Sequence, residues 1–540
     1  MANKNLRSLS ERKADEKNLF EQIAKASAEI DSKTALSTLA KDYKMNRSTL
    51  VGSSSFYDFL KEENKNKKIH ICNGSACLTA GTQDSLHTEM LKYFPENEIG
   101  HASCLGHCHS NHAFLYKNKT YSITYNSEIK EILDNENYQE NQYFVTSFSK
   151  PILTKRVIDE VSFFKLANKF QGNSEKILQE IKDSNLRGRG GAGFPFWMKL
   201  DSCCKTVSEK KYIVCNADEG DPGAYSDMYL LENQAFKVLF GMYISGIYTG
   251  ADEAYIYIRA EYPHSIEQMQ KAIDELIRLN LTPNFKWKII KGQGAYICGE
   301  ETALLSSIEG LRPEVRVRPP FPAQYGLYGK PTVLSNVETF ANLNWILENG
   351  GLNYAKMGSI KSTGTKLISL DGHFRRPGIY EVEMGTSMMD IIDKYGLGFN
   401  KSIKAVQVGG PLGGIVPIHI LRDLKLDFES FAEAGFLMGH ASFVCIPATM
   451  PMVKYLEHLL KFTADESCGK CFPCRLGSQR AYELFIKAQN EKYIIDKSLL
   501  DDLAETLQAT SLCALGGGIP LPLKNAMEYF KQELQEFIRY

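Results

Sequence analysis

The feature that most constrains this chain is a cysteine pattern near its C-terminus. Cys468, Cys471 and Cys474 are separated by two residues each, and Cys513 follows 39 residues after Cys474. A [4Fe-4S] cluster needs four thiolates that converge on one small volume, and three closely spaced cysteines with one remote partner supply that set. The pattern predicts an electron-carrying site, so the rest of the chain should provide an electron donor and an exit.

A second set of cysteines lies nearer the N-terminus. Cys72 and Cys77 form a C-x4-C pair, and Cys104 and Cys108 form a C-x3-C pair. Four thiolates delivered by two loops suit a [2Fe-2S] cluster. A four-cysteine zinc site is the alternative, although the two-residue gaps usual for zinc are absent from both pairs. Three nearby histidines are left unassigned, namely His107, His109 and His112.

The distribution of the cysteines along the chain favours metal binding over disulfide bonds. Eight of the 13 cysteines fall into the two sets, and the N-terminus lacks an apolar segment of signal-peptide length, so a reducing compartment is expected. The other five are interpreted as small buried hydrophobic residues. They are Cys203, Cys204, Cys215, Cys298 and Cys445.

Length and charge set further limits. At 540 residues the chain is too long for one core, and three or four domains are expected. A formal net charge of -1 argues against nucleic acid or an anionic membrane as the main partner. The longest apolar stretch, residues 238–250, is too short to span a bilayer, which predicts a cytoplasmic protein without direct membrane insertion.

Periodicity gives a coarse order of elements. Apolar residues at helical spacing predict a short bundle over residues 10–45, at Leu19, Ile23, Ala26, Ile30, Leu36, Leu39 and Ala40. A strand at 69–72 and a helix at 84–94 follow, and the polar stretch 137–142 is the first predicted boundary. Further on, helices are predicted at 157–170 and 175–181, and strands at 211–215 and 254–259. Residues 364–417 are rich in β signals and glycine, and the last hundred residues return to helical periodicity.

A glycine-rich loop begins at Gly188. Gly188, Gly190 and Gly193 match the G-x-G-x-x-G pattern of dinucleotide-binding folds, but the preceding residues 176–183 are helical in pattern, so a standard Rossmann motif is rejected. Clustered glycines still let backbone amides approach a phosphate group. The loop therefore predicts a phosphate-bearing cofactor, with positive charge from Arg187, Arg189 and Lys199; a flexible turn between helices is the alternative.

Four ordered motifs carry a family resemblance. They are Leu186–Pro195, Val214–Gly223, Gly294–Ala303 and Glu466–Arg475. From about residue 150 to the end, the chain resembles the NADH-binding flavoprotein subunit of respiratory complex I and its soluble relatives, the diaphorase subunits of NAD-linked hydrogenases and formate dehydrogenases. The N-terminal part resembles the thioredoxin-like [2Fe-2S] subunit of the same complexes, so the chain looks like a fusion of the two.

The resemblance implies an α/β multidomain fold. A helical segment and a thioredoxin-like [2Fe-2S] domain are expected over residues 1–142, and a Rossmann-like FMN- and NAD-binding domain over 143–360. A small ubiquitin-like β-grasp domain is expected over 361–440. A helical bundle that carries the [4Fe-4S] cluster is expected over 441–540.

The resemblance also implies the cofactor-binding residues. FMN is expected at Gly188, Gly190, Lys199, Asn216, Asp218, Tyr296, Gly299, Glu300 and Asn336. NAD(H) is expected over the flavin, with its adenine, ribose and pyrophosphate near Phe194, Phe321, Glu301, Asp221 and Arg318. Gly191 and Glu219 are assigned to cofactor binding without a choice between the two. Hydride passes between bound cofactors, so no side chain is expected to act as a catalytic acid or base.

Several positions depart from the family pattern, and they bear on nucleotide binding. Asp221, Arg318, Ser202 and Met228 stand where Glu, Lys, an aromatic residue and Arg are common. Carboxylates at four positions would repel a 2′-phosphate, which predicts NAD rather than NADP. The four are Glu219, Asp221, Glu300 and Glu301.

The resemblance implies that the chain is the NAD-handling subunit of a soluble NAD-linked formate dehydrogenase or hydrogenase. Electrons would pass between NAD(H), FMN, the [4Fe-4S] cluster and clusters in a partner. The expected partners are an iron-sulfur electron-transfer subunit and a catalytic subunit of the molybdenum formate dehydrogenase or nickel-iron hydrogenase type. The alternatives are an electron-input role in quinone reduction of the complex I type, a non-catalytic iron-sulfur relay or scaffold, and zinc at both cysteine sets.

Overall fold

The computed structural model describes residues 17–29, 31–135 and 143–540. Residues 10–16 of the predicted N-terminal bundle, its apolar position Ile30 and the predicted boundary at 137–142 lie outside the described residues. Within the described ranges, no helix combines the length and the apolar character that a membrane span requires.

The first segment is a small mixed sheet with helices around it. The sheet order is β2-β1-β3-β4, in which β1 pairs parallel with β2 and antiparallel with β3. Its strands are β1 (Ile69–Cys72), β2 (Ile99–Ala102), β3 (Ala113–Tyr116) and β4 (Lys119–Ser122). Its helices are α1 (Leu19–Ser27), α2 (Ser32–Asp42), α3 (Arg47–Ser54), α4 (Ser75–Ala80), α5 (Gln83–Met90) and α6 (Glu128–Asp134).

Strand direction in this sheet positions the first cysteine set. Cys72 is the last residue of β1, and Cys104 follows β2 by two residues. Because β1 and β2 run parallel, their carboxyl ends meet at one edge of the sheet. The predicted strand at 69–72 is confirmed, and its direction brings two sequence-distant cysteines together.

The second segment is built on four parallel strands in the order β8-β7-β6-β9, with helices on both faces. After β5 (Phe144–Ser147), which belongs to the third sheet, these strands are β6 (Tyr212–Ala217), β7 (Glu253–Ile258), β8 (Lys286–Lys291) and β9 (Thr332–Asn336). The helices are α7 (Glu160–Asn168), α8 (Ser174–Ser184), α9 (Phe196–Lys205), α10 (Ser226–Asn233), α11 (Ala235–Thr249), α12 (Pro263–Arg278), α13 (Glu301–Ile308), α14 (Pro322–Tyr325), α15 (Val337–Ala341), α16 (Leu343–Asn349) and α17 (Gly351–Ala355).

The register of this sheet defines where a ligand can lie. Asn216 and Asn336 are paired residues at the carboxyl ends of the neighbouring strands β6 and β9. Ligands of parallel sheets bind outside the carboxyl ends of the strands. The glycine loop connects α8 to α9, so the predicted helix before the loop is confirmed and the standard strand–loop–helix motif is absent at this loop.

The third segment is a mixed sheet whose order is β13-β12-β14-β10-β11-β5. Its strands are β10 (Thr365–Leu370), β11 (Gly378–Glu383), β12 (Ile403–Val408), β13 (Ile415–Pro417) and β14 (Ser442–Pro447). Its helices are α18 (Met388–Asp390), α19 (Ile418–Asp423) and α20 (Phe428–Glu433), and a π-helical turn covers Ile391–Tyr395. The antiparallel β10–β11 hairpin and the parallel β10–β14 pair give the core arrangement of a β-grasp fold.

This sheet takes strands from outside residues 361–440, the range predicted for the β-grasp segment. β14 is buried along its whole length and lies between β10 and β12, and β5 pairs with β11 at the edge. A fully buried strand lacks the alternation of apolar and polar residues that marks a half-buried one. For that reason β14 could not be separated from the helical pattern that follows it.

The last segment is a helical bundle. Its helices are α21 (Met452–Asp465), α22 (Ser478–Asn490), α23 (Lys497–Thr510), α24 (Ala514–Gly518), α25 (Pro520–Tyr529) and α26 (Lys531–Leu534). A small parallel pair joins β15 (Ile495–Asp496) to β16 (Ile538–Arg539). The core contains apolar residues at helical spacing, such as Leu456, Leu460 and Phe485. The second cysteine set lies in the connections between these helices.

Candidate functional site

The first cysteine set forms one buried group. Cys72, Cys77, Cys104 and Cys108 are all free and buried, and the Sγ atoms of Cys104 and Cys108 are 3.7 Å apart. Hydrogen bonds from the thiols of Cys108 and Cys72 hold the pKa of Cys104 well below its usual range, and the same crowding raises the pKa of the other two. A thiolate is the form of cysteine that binds iron. Four converging sulfurs on two loops therefore fit a [2Fe-2S] cluster.

The second cysteine set joins two helix connections. Cys468 follows α21, Cys474 lies in the turn Pro473–Gly477, and Cys513 immediately precedes α24. A Cβ atom added to Gly516 would lie 2.8 Å from the Cβ of Cys474, so α24 packs directly on that turn. Burial raises the pKa of Cys474 to about 11 and that of Cys513 to about 12, so binding of iron would release protons. The set fits a [4Fe-4S] cluster.

The burial of this second set is uneven. Cys468 and Cys474 are buried, whereas Cys471 and Cys513 are only half-buried. Phe472, Leu476 and Leu512 next to them are exposed apolar residues. Exposed apolar residues thus stand next to the cysteines in the chain, and we call Phe472, Leu476 and Leu512 the cluster rim.

The glycine loop lies against the end of β9. The Gly188 amide donates to the Phe194 carbonyl over 2.8 Å, and Gly191 has a φ of 118°, which only glycine adopts readily. A Cβ atom added to Gly190 would lie 3.0 Å from the Cβ of Asn336. The predicted residues Gly188, Gly190 and Gly191 therefore form a close-fitting backbone surface at the carboxyl edge of the parallel sheet.

The two arginines of this loop hold it in place. Arg187 donates to Glu429 over 2.6 Å, and buried Arg189 donates to the Tyr354 hydroxyl over 3.0 Å and to the Thr363 carbonyl over 2.6 Å. The sequence predicted that both would add charge for a phosphate group. Their partners lie on α17, α20 and the chain leading into β10, elements that were not predicted to contact the loop. Nε and Nη1 of Arg189 have no hydrogen-bond partner among the described residues, and the contribution of both charges to phosphate binding stays a prediction.

Two asparagines and two carboxylates line the edge beside the loop. The Asn216 side chain donates to the Gly299 carbonyl over 2.8 Å, and the Asn336 side chain donates to Asp227 over 2.5 Å. Asp218 Oδ2 and Glu300 Oε1 are shielded from solvent and accept no hydrogen bond from any described residue, although Glu300 Oε1 lies 3.8 Å from Nη2 of Arg318 in an ion pair.

The two carboxylate oxygens at this edge indicate whether FMN fits there. Burial raises the pKa of Asp218 to about 8, as expected for a carboxyl group without a donor. Buried acceptors without partners are rare in folded proteins and call for an explanation such as a missing ligand. The ribityl chain of FMN is rich in hydroxyl donors, so the edge fits that cofactor.

Three charged residues meet at the mouth of this edge. Glu301 accepts from Lys199 over 3.1 Å and from Arg318 over 2.8 Å. Burial by itself would raise the pKa of Glu301, but these two cations outweigh it and lower the pKa. Phe194 is 46% exposed and Phe321 is 53% exposed, so both predicted aromatic residues are available for stacking.

Glu219 lies inside the fold. Its carboxylate accepts four hydrogen bonds, from the Ser226 and Tyr262 hydroxyls and the Asp227 and Met228 amides. A carboxylate offers about four lone-pair positions, so Glu219 has none left for a nucleotide or for an ion shared with Asp227 and His440, its neighbours. Met228 is buried as well, so its departure from the family pattern does not face the nucleotide site.

Tyr296 connects the carboxyl edge of the parallel sheet to the second cysteine set. Its hydroxyl donates to Asp221 over 2.8 Å, and its amide donates to Glu466 over 2.8 Å. Its ring packs on Phe462 of α21 with 4.9 Å between centroids. Glu466 lies two residues before Cys468. Glu466 belongs to the fourth family motif. Its hydrogen bond with Tyr296 joins residues 170 positions apart, so local spacing could not predict it.

Comparison with known proteins identifies three matching family models. The Nuo51 FMN-binding domain matches residues 181–345. The NADH-ubiquinone oxidoreductase-F iron-sulfur binding region matches residues 454–537, and the thioredoxin-like [2Fe-2S] ferredoxin matches residues 9–137.

Individual relatives agree with these models. The NADP-reducing hydrogenase subunit HndC of Solidesulfovibrio fructosivorans is 40% identical over 67% of this chain and 76% of its own length. An NADH-quinone oxidoreductase subunit of Rhizobium meliloti is 39% identical over 66% of this chain and 88% of its own. A crystal structure of an NAD+-reducing [NiFe]-hydrogenase superposes with a TM-score of 0.87 and 27% identity, covering 96% of this chain and 93% of that one.

Proposed function

The chain belongs to the family of NADH-binding flavoprotein subunits that carry FMN and a [4Fe-4S] cluster, here joined to a thioredoxin-like [2Fe-2S] unit, and from this we propose how its residues divide the work. It is an NAD(H)-dependent flavin and iron-sulfur oxidoreductase with FMN, NAD(H), [4Fe-4S] and [2Fe-2S] as cofactors. When bound, FMN exchanges electron pairs with NAD(H) and single electrons with the clusters.

We propose that the carboxyl edge of the parallel sheet holds FMN. The glycine loop gives the backbone surface, and Asn216 and Asn336 are held in place by their bonds to Gly299 and Asp227. Asp218 and Glu300 accept from the ribityl hydroxyls. The observation that carries this proposal is the shielded Asp218 Oδ2, which accepts no hydrogen bond from any described residue and would cost roughly 1–3 kcal/mol if no ligand donated to it.

We propose that NAD(H) lies at the mouth of the same edge. Phe194 and Phe321 stack on its adenine, and Arg318 and Glu301 contact its ribose and pyrophosphate, with Lys199 fixing Glu301. No side chain carries a proton in the hydride step. The residues therefore act by orientation and by exclusion of water from the stacked rings.

Electrons are proposed to leave through the [4Fe-4S] cluster at the cluster rim. The rim is apolar and lies beside the two half-buried cysteines, as expected where a partner's iron-sulfur subunit docks. The similarity to the NAD+-reducing [NiFe]-hydrogenase supports a nickel-iron catalytic subunit as the further partner, and the similarity to HndC supports a hydrogenase. A molybdenum formate dehydrogenase partner and a cytoplasmic location remain predictions from the sequence.

A cofactor analysis tests this function. Full-length protein purified without oxygen should contain one FMN and six iron atoms per chain if one [2Fe-2S] and one [4Fe-4S] cluster are present. It should reduce an artificial dye with NADH. Brown protein without flavin and without dye reduction would support the relay or scaffold alternative, and colourless zinc protein would reject both iron-sulfur assignments.

Binding of FMN should depend on pH through Asp218. The pKa of about 8 places a proton on this group in the flavin-free protein at neutral pH, and the ionised carboxylate accepts a hydrogen bond from a ribityl hydroxyl more strongly than the protonated group does. FMN affinity should therefore rise between pH 6.5 and 8 and level off above pH 8. Fluorescence titration of flavin-depleted protein measures this. Asp218→Asn should remove the pH dependence, and an equally steep rise in that variant would contradict the assignment.

Preference for NADH over NADPH is proposed to depend on Glu301. In the native protein the Glu301 carboxylate forms ion pairs with Lys199 and Arg318, the two cations that would otherwise bind the 2′-phosphate of NADPH. Glu301→Gln should remove the closest negative charge from both cations, although Arg318 remains 3.8 Å from Glu300. The ratio of kcat/KM for NADH to that for NADPH should fall about tenfold, which is about 1.4 kcal/mol. Glu309→Gln, which changes another carboxylate paired with an arginine, is the control. Equal use of both nucleotides by the native protein would refute the NAD assignment.

A further inference from the structure

Arg259 is a buried cation at the boundary between the [2Fe-2S] segment and the flavin segment. It directly follows β7 and is 3% exposed. Its guanidinium donates to the Cys104 carbonyl over 2.8 Å and to the Glu219 carbonyl, and it pairs with Glu261 over 2.7 Å. One side chain thus binds the backbone of a proposed cluster ligand and the backbone of residues 218–225, the loop between β6 and α10 that we call the flavin-edge loop.

Two neighbours of Arg259 complete this contact. The Gly223 amide, on the flavin-edge loop, donates to Cys108 Sγ over 3.2 Å. The Tyr262 ring packs so closely on Gly106 that an added Cβ atom would lie 2.7 Å from the ring. The cysteine loop 104–108 is therefore held at three points by the flavin segment.

The position of Arg259 has an electrostatic consequence. Reduction of a [2Fe-2S] cluster adds one negative charge to a buried site. A fixed positive charge in a medium of low dielectric constant stabilises that added charge, and donors to the cysteine sulfurs act in the same direction. Arginine keeps its charge in proteins, whereas the carboxylate of Glu261 partly cancels the field of the guanidinium.

We propose that Arg259 sets the reduction potential of the [2Fe-2S] cluster, raising it, and that Glu261 moderates this effect. Arg259 is a positioning residue, because it touches the ligand loop and not the reacting atoms. The same guanidinium also donates to the Glu219 carbonyl of the flavin-edge loop, so one charged side chain contacts both the cysteine loop of the cluster and the proposed flavin site. This inference rests on the cofactors of the proposed function and adds the residues that tune one of them.

The test is a potentiometric titration of the full chain, followed by electron paramagnetic resonance. In Arg259→Gln the ratio of reduced to oxidised [2Fe-2S] cluster at a fixed potential should fall about tenfold, equal to 59 mV for one electron. In Glu261→Gln it should rise. Arg259→Lys, which keeps the charge and loses the planar fork, should fall between the native protein and Arg259→Gln.

Arg278→Gln is the matched control, since Arg278 pairs with Glu275 on the exposed face of α12 in the same segment. It should leave the potential unchanged, and the [4Fe-4S] potential should be unchanged in every variant. Unchanged potentials in Arg259→Gln and Glu261→Gln, or shifts of the same sign, would overturn the inference. If Arg259→Gln fails to assemble, Glu261→Gln decides: a rise supports the inference, and a fall or no change overturns it. FMN and [4Fe-4S] content of the native sample reports separately on the proposed function.

Discussion

Replacement of Cys474 by alanine is expected to remove the [4Fe-4S] cluster while FMN and the [2Fe-2S] cluster remain. Cys474 is buried, and alanine at this position leaves the cluster with three of its four thiolate ligands. Transfer of electrons from NADH to a partner subunit should fall by at least a hundredfold, which is about 2.7 kcal/mol in the barrier. Dye reduction at the flavin should persist. Iron content, flavin content and paramagnetic resonance of the reduced protein measure the three parts of this result.

Cys204→Ala is the control for this experiment. Cys204 lies on α9, outside both cysteine sets, and is half-buried as Cys471 and Cys513 are. It should keep both clusters and the native transfer rate. A [4Fe-4S] signal of native intensity in Cys474→Ala would show that the ligand set is wrong.

Replacement of Gly190 by valine is expected to prevent FMN from binding. Even one added carbon would lie 3.0 Å from the Cβ of Asn336, and two further methyl groups would push Asn336 away from Asp227 and fill the surface proposed for the flavin. Overpacking of this kind costs roughly 1–3 kcal/mol before any ligand contact is lost. NADH-dependent dye reduction should fall more than a hundredfold, while both clusters remain reducible by dithionite.

Gly52→Val separates this effect from a general cost of valine. Gly52 is an exposed residue of α3, and an added Cβ atom there meets no atom within 4 Å. This control should retain native flavin content and activity. A Gly190→Val protein that still carries stoichiometric FMN would refute the placement of the flavin on the glycine loop.

Local signals were sufficient for the parts of the site that lie close together in sequence. The two-residue gaps around Cys471 and the pairs at Cys72 and Cys104 marked both cysteine sets, and helical periodicity over 176–183 correctly argued against a standard Rossmann motif. The family motifs gave Asn216 as an FMN-binding residue, and the structure places it at the carboxyl end of β6. In each case the residues involved are neighbours in the chain or share one strand end.

Contacts between distant segments could not be read from the sequence. Arg187 and Arg189 were predicted to add positive charge to the glycine loop, and their hydrogen bonds to residues about 165 to 240 positions away could not be predicted from local spacing. Glu219 was assigned to cofactor binding from its family motif, and its four hydrogen bonds, which depend on the start of α10 and on Tyr262, could not be predicted from that motif. β14 was missed since a completely buried strand shows no alternation. Pairing of buried charges is decided by tertiary packing, which spacing rules do not encode.

The central claim is that one FMN, held at the carboxyl edge of the parallel sheet, connects NAD(H) to the iron-sulfur clusters. An anaerobic titration of the iron-replete full chain with NADH tests it most directly, with flavin absorbance and paramagnetic resonance recorded on the same samples. We predict that the flavin absorbance bleaches and that signals of reduced clusters appear, and that Gly190→Val shows neither with NADH. Protein without FMN, or cluster reduction by NADH that is undiminished in Gly190→Val, would contradict the claim.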